Sequence, residues 1–149
     1  MMTETQLRAF IQVVVDYFAG LPAENAEMGI PYMREGDTIL LDHTGLIGIS
    51  GAQRGGVYVT ADEAMLRDLA GVILGESDIS TEDLVDMVGE LTNTIAGNVR
   101  KSFGSGFMIS VPIMLRGKPD DILMKLRPPV FVIPIQWRSH KLYLSVGLE

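Results

Sequence analysis

The order of its periodic segments constrains the fold of this chain more than any other feature. Apolar residues recur at spacings of three and four over 4–19, which predicts an amphipathic helix. Strand-like segments, two more helical patterns and three further strands follow. Helix, strands, two helices and strands predict a two-layer α+β domain, with long helices packed on one face of a largely antiparallel sheet. The 149 residues suit a single domain over 1–149.

Glycine, proline and capping residues set the predicted boundaries. Ser80 and Asp83 have the spacing of a capping box, and Asp62 or Thr60 is expected to cap the preceding helix. Gly45 and Gly48 indicate a bulge or a close backbone approach inside a strand. The last two helices are predicted over about 62–74 and 81–102, and the strands over about 26–32, 38–50, 57–59, 107–115, 130–137 and 141–146.

Charge and cysteine usage exclude several classes of function. The net charge is −7 and the basic residues are few and scattered, which argues against binding to nucleic acid or to an anionic membrane. The chain has no cysteine, so disulfides and cysteine-ligated metals are excluded, and a cytoplasmic location is expected. No export signal or membrane span is expected. His43 and His140 lack a surrounding ligand cluster, so no metal site is predicted.

A weak internal similarity links the two halves of the chain. The predicted helix segment 13–20 ends in Phe-Ala-Gly, and the segment 90–97 ends in Ile-Ala-Gly. Each is followed by a strand that contains an aliphatic residue before proline, at Ile30-Pro31 and Val111-Pro112. Chance can produce such a match, but it also indicates a duplicated helix–strand unit.

The helical pattern from Asp83 to Arg100 carries the candidate functional residues. At 100° per residue, its aliphatic side chains form one buried stripe, and Glu90 and Asn93 lie almost opposite that stripe, one turn apart. Gly97 continues their row, where a glycine costs about 1 kcal/mol of helix stability relative to alanine. An exposed Glu beside an Asn is usually an ordinary solvated face. Gly97 is equally consistent with close helix packing or with a looser helix end.

The residues Glu90-Leu91-Thr92-Asn93, followed by Gly97, resemble the phosphatase motif of the CheC/CheX/FliY family of chemotaxis proteins. Asp86 stands where an acidic or small polar residue often leads that motif. The segments 55–59 and 64–74 before it, and 109–112 after it, are similar to family elements in the same order. CheC-like members carry the motif twice, whereas here Val13 and Asp16 occupy the first-half positions, so the chain resembles the CheX-like members.

The resemblance implies a two-layer CheC/CheX-like domain that hydrolyses the aspartyl phosphate of a CheY-like receiver domain. Asn93 would orient the attacking water and Glu90 would clamp the active-site lysine of the receiver. Asp86, Gly97 and Asn98 are further candidates for partner binding, although Asn98 is also placed to satisfy backbone groups near the helix end.

The resemblance also implies a homodimer joined through the sheet. No cofactor of its own is expected, and Mg²⁺ belongs to the receiver. Two alternatives remain open, namely a catalytically silent adaptor that binds receivers and a dimerisation module associated with the flagellar switch.

Overall fold

The computed structural model describes residues 2–35, 38–75, 78–117, 126 and 129–149. Its described part contains three helices, α1 (Glu4–Ala19), α2 (Glu63–Leu74) and α3 (Thr81–Phe103). The described strands are β1 (Glu27–Met28), β2 (Tyr32–Arg34), β3 (His43–Gly51), β4 (Gly55–Ala61), β5 (Phe107–Ile109), β6 (Ile113–Arg116), β7 (Val130–Trp137) and β8 (His140–Leu148). The predicted order of elements and the α+β class are confirmed.

These strands form one antiparallel sheet in the order β1-β7-β8-β4-β3-β5. β2 extends the β1 edge by pairing with β7, and β6 extends the β5 edge by pairing with β3. The order is symmetric about the central β4–β8 pair. α1 and α3 each lead into an edge strand that is interrupted around a proline, Pro31 or Pro112. The topology therefore supports the duplicated unit that the sequence suggested.

Side-chain caps start all three helices. Ser80 and Asp83 form the predicted capping box of α3, with Ser80 Oγ accepting from Asp83 N at 3.1 Å and Asp83 Oδ2 accepting from Ser80 N at 3.0 Å. Asp62 caps α2 by accepting from Met65 N at 2.8 Å. Thr60 instead lies in β4, where its hydroxyl is 2.8 Å from that of Thr44. Asp62 is therefore the cap, because its carboxylate reaches the free amides of the first turn.

The core lies between the three helices and one face of the sheet. Alternate residues of β4, β7 and β8 point into it, among them Val59, Ile135 and Leu144. Trp137 is fully buried against Phe18 of α1, with ring centroids 5.7 Å apart. α3 packs against both other helices and four strands, β3 to β6. Burial on this scale fixes α3 relative to the sheet, since each large core side chain contributes about 1.5–3 kcal/mol.

Several predicted strands differ from the observed ones. The strand expected over 107–115 is divided into β5 and β6, and that expected over 26–32 is divided into β1 and β2. Proline has no N–H for a sheet ladder, and each break contains one. The strand expected from residue 38 begins only at His43. Of the two apolar strands considered for a sheet edge, only the first lies there, because β7 is paired on both sides.

Candidate functional site

α3 is held close to the sheet at the turn that carries the candidate residues. Thr92 is buried and its hydroxyl donates to Val88 O at 2.6 Å. A Cβ built on Gly45 of β3 would lie 2.0 Å from Thr92 Oγ1 and 3.1 Å from Val88 O. Only glycine therefore allows α3 to approach β3 this closely, which confirms the close approach expected at Gly45. The contact fixes the backbone beside Asn93.

The structure places the predicted site residues on the outer face of α3. The side chains of Asp86, Glu90, Asn93 and Asn98 are exposed, and Gly97 is half-buried. The buried face carries the aliphatic stripe, which includes Leu84, Val88, Leu91, Ile95 and Val99. Glu90 and Asn93 therefore project together from helical backbone, about 4.5 Å apart along the axis.

These polar groups have no competing partners in the part of the chain that the structure describes. The side chains of Glu90, Asn93 and Asn98 make no hydrogen bond or ion pair there. The backbone oxygen of Asn98 accepts from Ser102 Oγ at 3.4 Å, but the Asn98 carboxamide satisfies no helix-end group. A carboxylate and two amides are thus free to meet another molecule without first breaking internal bonds.

Gly97 has no structural role that the described residues account for. A Cβ built on it meets nothing within 4 Å, so helix packing does not require glycine here. The contrast is Gly89 on the buried face, whose Cβ would lie 3.0 Å from Met114 Sδ. α3 continues for two further turns to Phe103, so Gly97 does not end the helix. The missing side chain leaves the surface beside Asn93 flat.

Tyr17 of α1 is a neighbour of the site that the sequence did not reveal. Burial and, to a lesser degree, the nearby charge of Glu90 raise the pKa of Tyr17 to about 12. Its ring packs edge-on against Phe18, with centroids 5.2 Å apart. The phenol is therefore neutral at physiological pH and borders the Glu90 carboxylate. No sequence spacing connects two residues on helices that meet only in the folded chain.

The equivalent positions of the first half carry no such pair. Val13 is buried in the core, and the Asp16 carboxylate accepts from Gln12 Nε2 at 2.8 Å. Gly20 caps the C-terminus of α1, whereas Gly97 lies inside α3. The duplicated unit therefore presents one candidate pair of acid and amide, on α3.

The carboxylate and the carboxamide that this surface exposes are suited to positioning another molecule through hydrogen bonds. Within the described residues, no three His, Cys, Asp or Glu side chains converge to hold a metal ion. A carboxamide both donates and accepts hydrogen bonds, and a carboxylate accepts them from a cation. In those same segments, no helix has the length and apolar character needed to cross a bilayer.

Comparison with known families identifies the chain. Residues 43–136 match the family model described as chemotaxis phosphatase CheX. The chain belongs to the CheX family. The matched region contains the whole of α3 and therefore Glu90, Asn93 and Gly97. Curated protein sequences provide no match to the chain.

Solved structures share the fold over nearly the full length. The chemotaxis protein CheX from Vibrio vulnificus is 23% identical, with a TM-score of 0.84, and the match covers 97% of this chain and 99% of that one. A CheC-like superfamily protein from Shewanella sp. PV-4 is 24% identical, with a TM-score of 0.84 and 99% of each chain covered. These likenesses confirm the CheC/CheX-like fold.

A third match is a complex. The structure of CheX with CheY, BeF3 and Mg²⁺ from Borrelia burgdorferi is 22% identical, with a TM-score of 0.75, and the match covers 98% of this chain and 96% of that one. That CheX is therefore in a complex with CheY, BeF3 and Mg²⁺.

Proposed function

We propose that this chain hydrolyses the aspartyl phosphate of a CheY-like receiver domain, with Asn93 orienting the attacking water. The observation that carries the proposal is the exposed pair Glu90 and Asn93 on one face of α3, which has no hydrogen-bonding partner among the described residues, in a chain of the CheX family. The complex of the Borrelia relative with CheY supports a receiver as the partner. The cytoplasm is the proposed site of action, because a chain without cysteine suits a reducing compartment.

The role proposed for Asn93 follows from its chemistry. Transfer of a phosphoryl group to water depends mainly on positioning and charge stabilisation. A carboxamide holds a water by accepting one hydrogen bond and donating another, but it does not remove a proton at neutral pH. Asn93 is exposed on a helix that the Gly45–Thr92 contact holds rigidly. Rigid placement lowers the entropic part of the barrier.

The role proposed for Glu90 is docking. Its carboxylate lies one turn before Asn93 on the same face, so the two groups reach neighbouring points of one small pocket. A charge-assisted hydrogen bond to the active-site lysine of the receiver sets the register in which Asn93 enters that pocket. Burial raises the pKa of Tyr17 to about 12, so its phenol stays neutral and places no second negative charge beside Glu90. Mg²⁺ and its ligands belong to the receiver.

Asp86, Gly97 and Asn98 extend the proposed contact surface in both directions along α3. Asp86 and Asn98 are exposed, and Gly97 leaves room for the receiver backbone.

A homodimer joined through the sheet also belongs to the proposal, because both sheet edges expose apolar residues, Ile30 at 87% and Val111 at 82%. Solution mass measurements on Ile30→Asp and Val111→Asp test it. A wild-type mass equal to the monomer at all concentrations would rule it out.

The decisive experiment follows release of phosphate from phosphorylated CheY-like receivers. Asn93→Ala should reduce the acceleration by about 100-fold or more, because the water loses its orientation, while binding stays nearly unchanged. The matched control is Asn25→Ala, the same substitution at an exposed loop position between α1 and β1. Equal turnover by Asn93→Ala and wild type would refute the catalytic role of Asn93.

A second comparison tests the clamp. Glu90→Ala should weaken receiver binding by about 10–100-fold, the value of one charge-assisted hydrogen bond. Glu82→Ala, at an exposed position in the first turn of the same helix, should leave the affinity unchanged. Unaltered affinity of Glu90→Ala would remove the clamp from the mechanism. A wild-type protein that binds receivers without accelerating phosphate release would instead favour the adaptor alternative.

A further inference from the structure

A groove open to solvent begins at Asn93 and runs toward the C-terminal end of α3. Its volume is about 650 Å³, and it lies between α3 and β5. Along α3 its lining runs from Asn93 and Gly97 to Arg100 and Lys101, and β5 contributes Met108 and Ile109. The groove is therefore continuous with the proposed catalytic surface but extends two turns beyond it.

The groove has a charge opposite to that of the chain. The net charge is −7, yet the described residues that line the groove include two cations and no carboxylate. Along α3, acidic residues occupy the first turns and reach Glu90, whereas Arg100 and Lys101 occupy the last turn. One helix face thus presents an acid, an amide and a base in that order.

The two cations are presented in different ways. Arg100 Nε donates to the backbone oxygen of Phe107 at 2.7 Å, which holds the guanidinium against β5. Lys101 is exposed and forms no ion pair within the described residues. The helix dipole favours cations in a last turn, but it does not explain the apolar Met108, 56% exposed beside them. Cations beside an exposed, flexible methionine are typical of a binding surface.

We propose that this groove docks an acidic and partly apolar segment of the receiver domain, adjacent to the phosphate-bearing pocket. The proposal rests on the proposed function and adds the contact that orients the partner. The groove is complementary in charge to an acidic segment, and a receiver pocket that holds Mg²⁺ is itself built from carboxylates, so we expect further carboxylates on the adjoining receiver surface that Arg100 and Lys101 would meet. Met108 and Ile109 cover the apolar part of the segment.

The spacing gives the docking a direction. Lys101 is eight residues beyond Asn93, about 12 Å along the axis, and Glu90 is about 4.5 Å on the other side. In the proposed orientation Glu90 meets a lysine and Lys101 meets a carboxylate. A receiver rotated by half a turn about Asn93 would bring its lysine near Gly97 instead of Glu90 and its carboxylate near the acidic first turns of α3 instead of Lys101, which disfavours that orientation. Arg100 and Lys101 are thus residues that determine specificity, separate from those that perform hydrolysis.

The test compares two charge reversals that change the net charge equally. Lys101→Glu lies in the groove, and Lys141→Glu lies on β8, next to the β7–β8 turn. The probes are CheY-like receivers from the same genome, loaded with BeF3⁻ and Mg²⁺, and the measurement is affinity by titration. Lys101→Glu should weaken binding about tenfold, Lys141→Glu less than twofold, and the salt dependence of affinity should be smaller for Lys101→Glu than for wild type.

Turnover separates this proposal from the proposed function. At saturating receiver, Lys141→Glu should hydrolyse phosphate at the wild-type rate, because it lies outside the groove and leaves Glu90 and Asn93 unchanged. Lys101→Ala introduces no new charge on α3 and should lose less affinity than Lys101→Glu, which would show that the charge at this position, and not misfolding, causes the loss.

Equal affinities of Lys101→Glu and Lys141→Glu would overturn the proposal that the groove docks the receiver while leaving the phosphatase proposal intact. A wild-type protein that binds receivers without hydrolysis would refute the phosphatase, and the two affinities would still decide the groove. Absence of any receiver binding overturns both.

Discussion

Replacing Gly97 with alanine should move stability and partner binding in opposite directions. Gly97 lies inside α3, and a Cβ at this position meets nothing within 4 Å. The methyl group therefore adds helix propensity without a clash. The expected gain is about 1 kcal/mol in the free energy of unfolding, which corresponds to roughly 2–4 °C in Tm for a domain of this size.

Binding should respond in the other direction if the receiver packs against this part of α3. An additional methyl group in a close-packed contact costs about 1–3 kcal/mol, which is about 5–150-fold in affinity. Thermal unfolding followed by circular dichroism measures the first effect, and titration with a BeF3⁻-loaded receiver measures the second. Ser102→Ala is the control, since it lies exposed near the end of the same helix and outside the groove.

Two results would refute the reasoning about Gly97. A variant that is more stable but binds and turns over receivers like wild type would show that no partner approaches this position. A variant that is less stable would show that the space above Gly97 is needed by the fold itself. Ser102→Ala should be slightly more stable than wild type and bind receivers equally well.

Three further predictions follow from the packing around the site. The pKa of Tyr17 is about 12 in the folded chain and about 10 in the unfolded chain, so the stability that its neutral phenol contributes is complete below pH 10 and is lost as the pH rises toward 12. The Tm of Tyr17→Phe should therefore decline less steeply than that of wild type over this range. An identical decline would contradict the prediction. Gly45→Ala should lower the free energy of unfolding, measured with denaturant, by about 1–3 kcal/mol and should reduce turnover, because its Cβ would lie 2.0 Å from Thr92 Oγ1. An unchanged denaturation midpoint would show that α3 adjusts freely. Tyr58→Phe should raise the free energy of unfolding by about 1 kcal/mol, since the Tyr58 hydroxyl is buried without a hydrogen-bond partner among the described residues. A loss of stability would show that the hydroxyl does have a hydrogen-bond partner.

Local patterns predicted the helices and the outer face of α3 well. The caps at Ser80 and Asp62 and the stripe from Leu84 to Val99 depend on neighbours within one or two turns, so the sequence contains them directly. Strand boundaries were less accurate. Whether Val111-Pro112 interrupts a strand depends on which residues of β3 pair with it, and those lie more than sixty positions earlier.

The sequence by itself determined that α3 carries Glu90 and Asn93 on its outer face, because helical periodicity alone places polar and apolar residues on opposite sides. Only the tertiary structure decided what surrounds them. Tyr17 of α1 lies near Glu90, Gly45 allows α3 to pack closely on β3, and β5 forms the second side of the groove. Tyr17 and Glu90, and likewise Gly45 and Thr92, are distant along the chain, and their proximity arises from the packing of the helices on each other and on the sheet rather than from any local pattern.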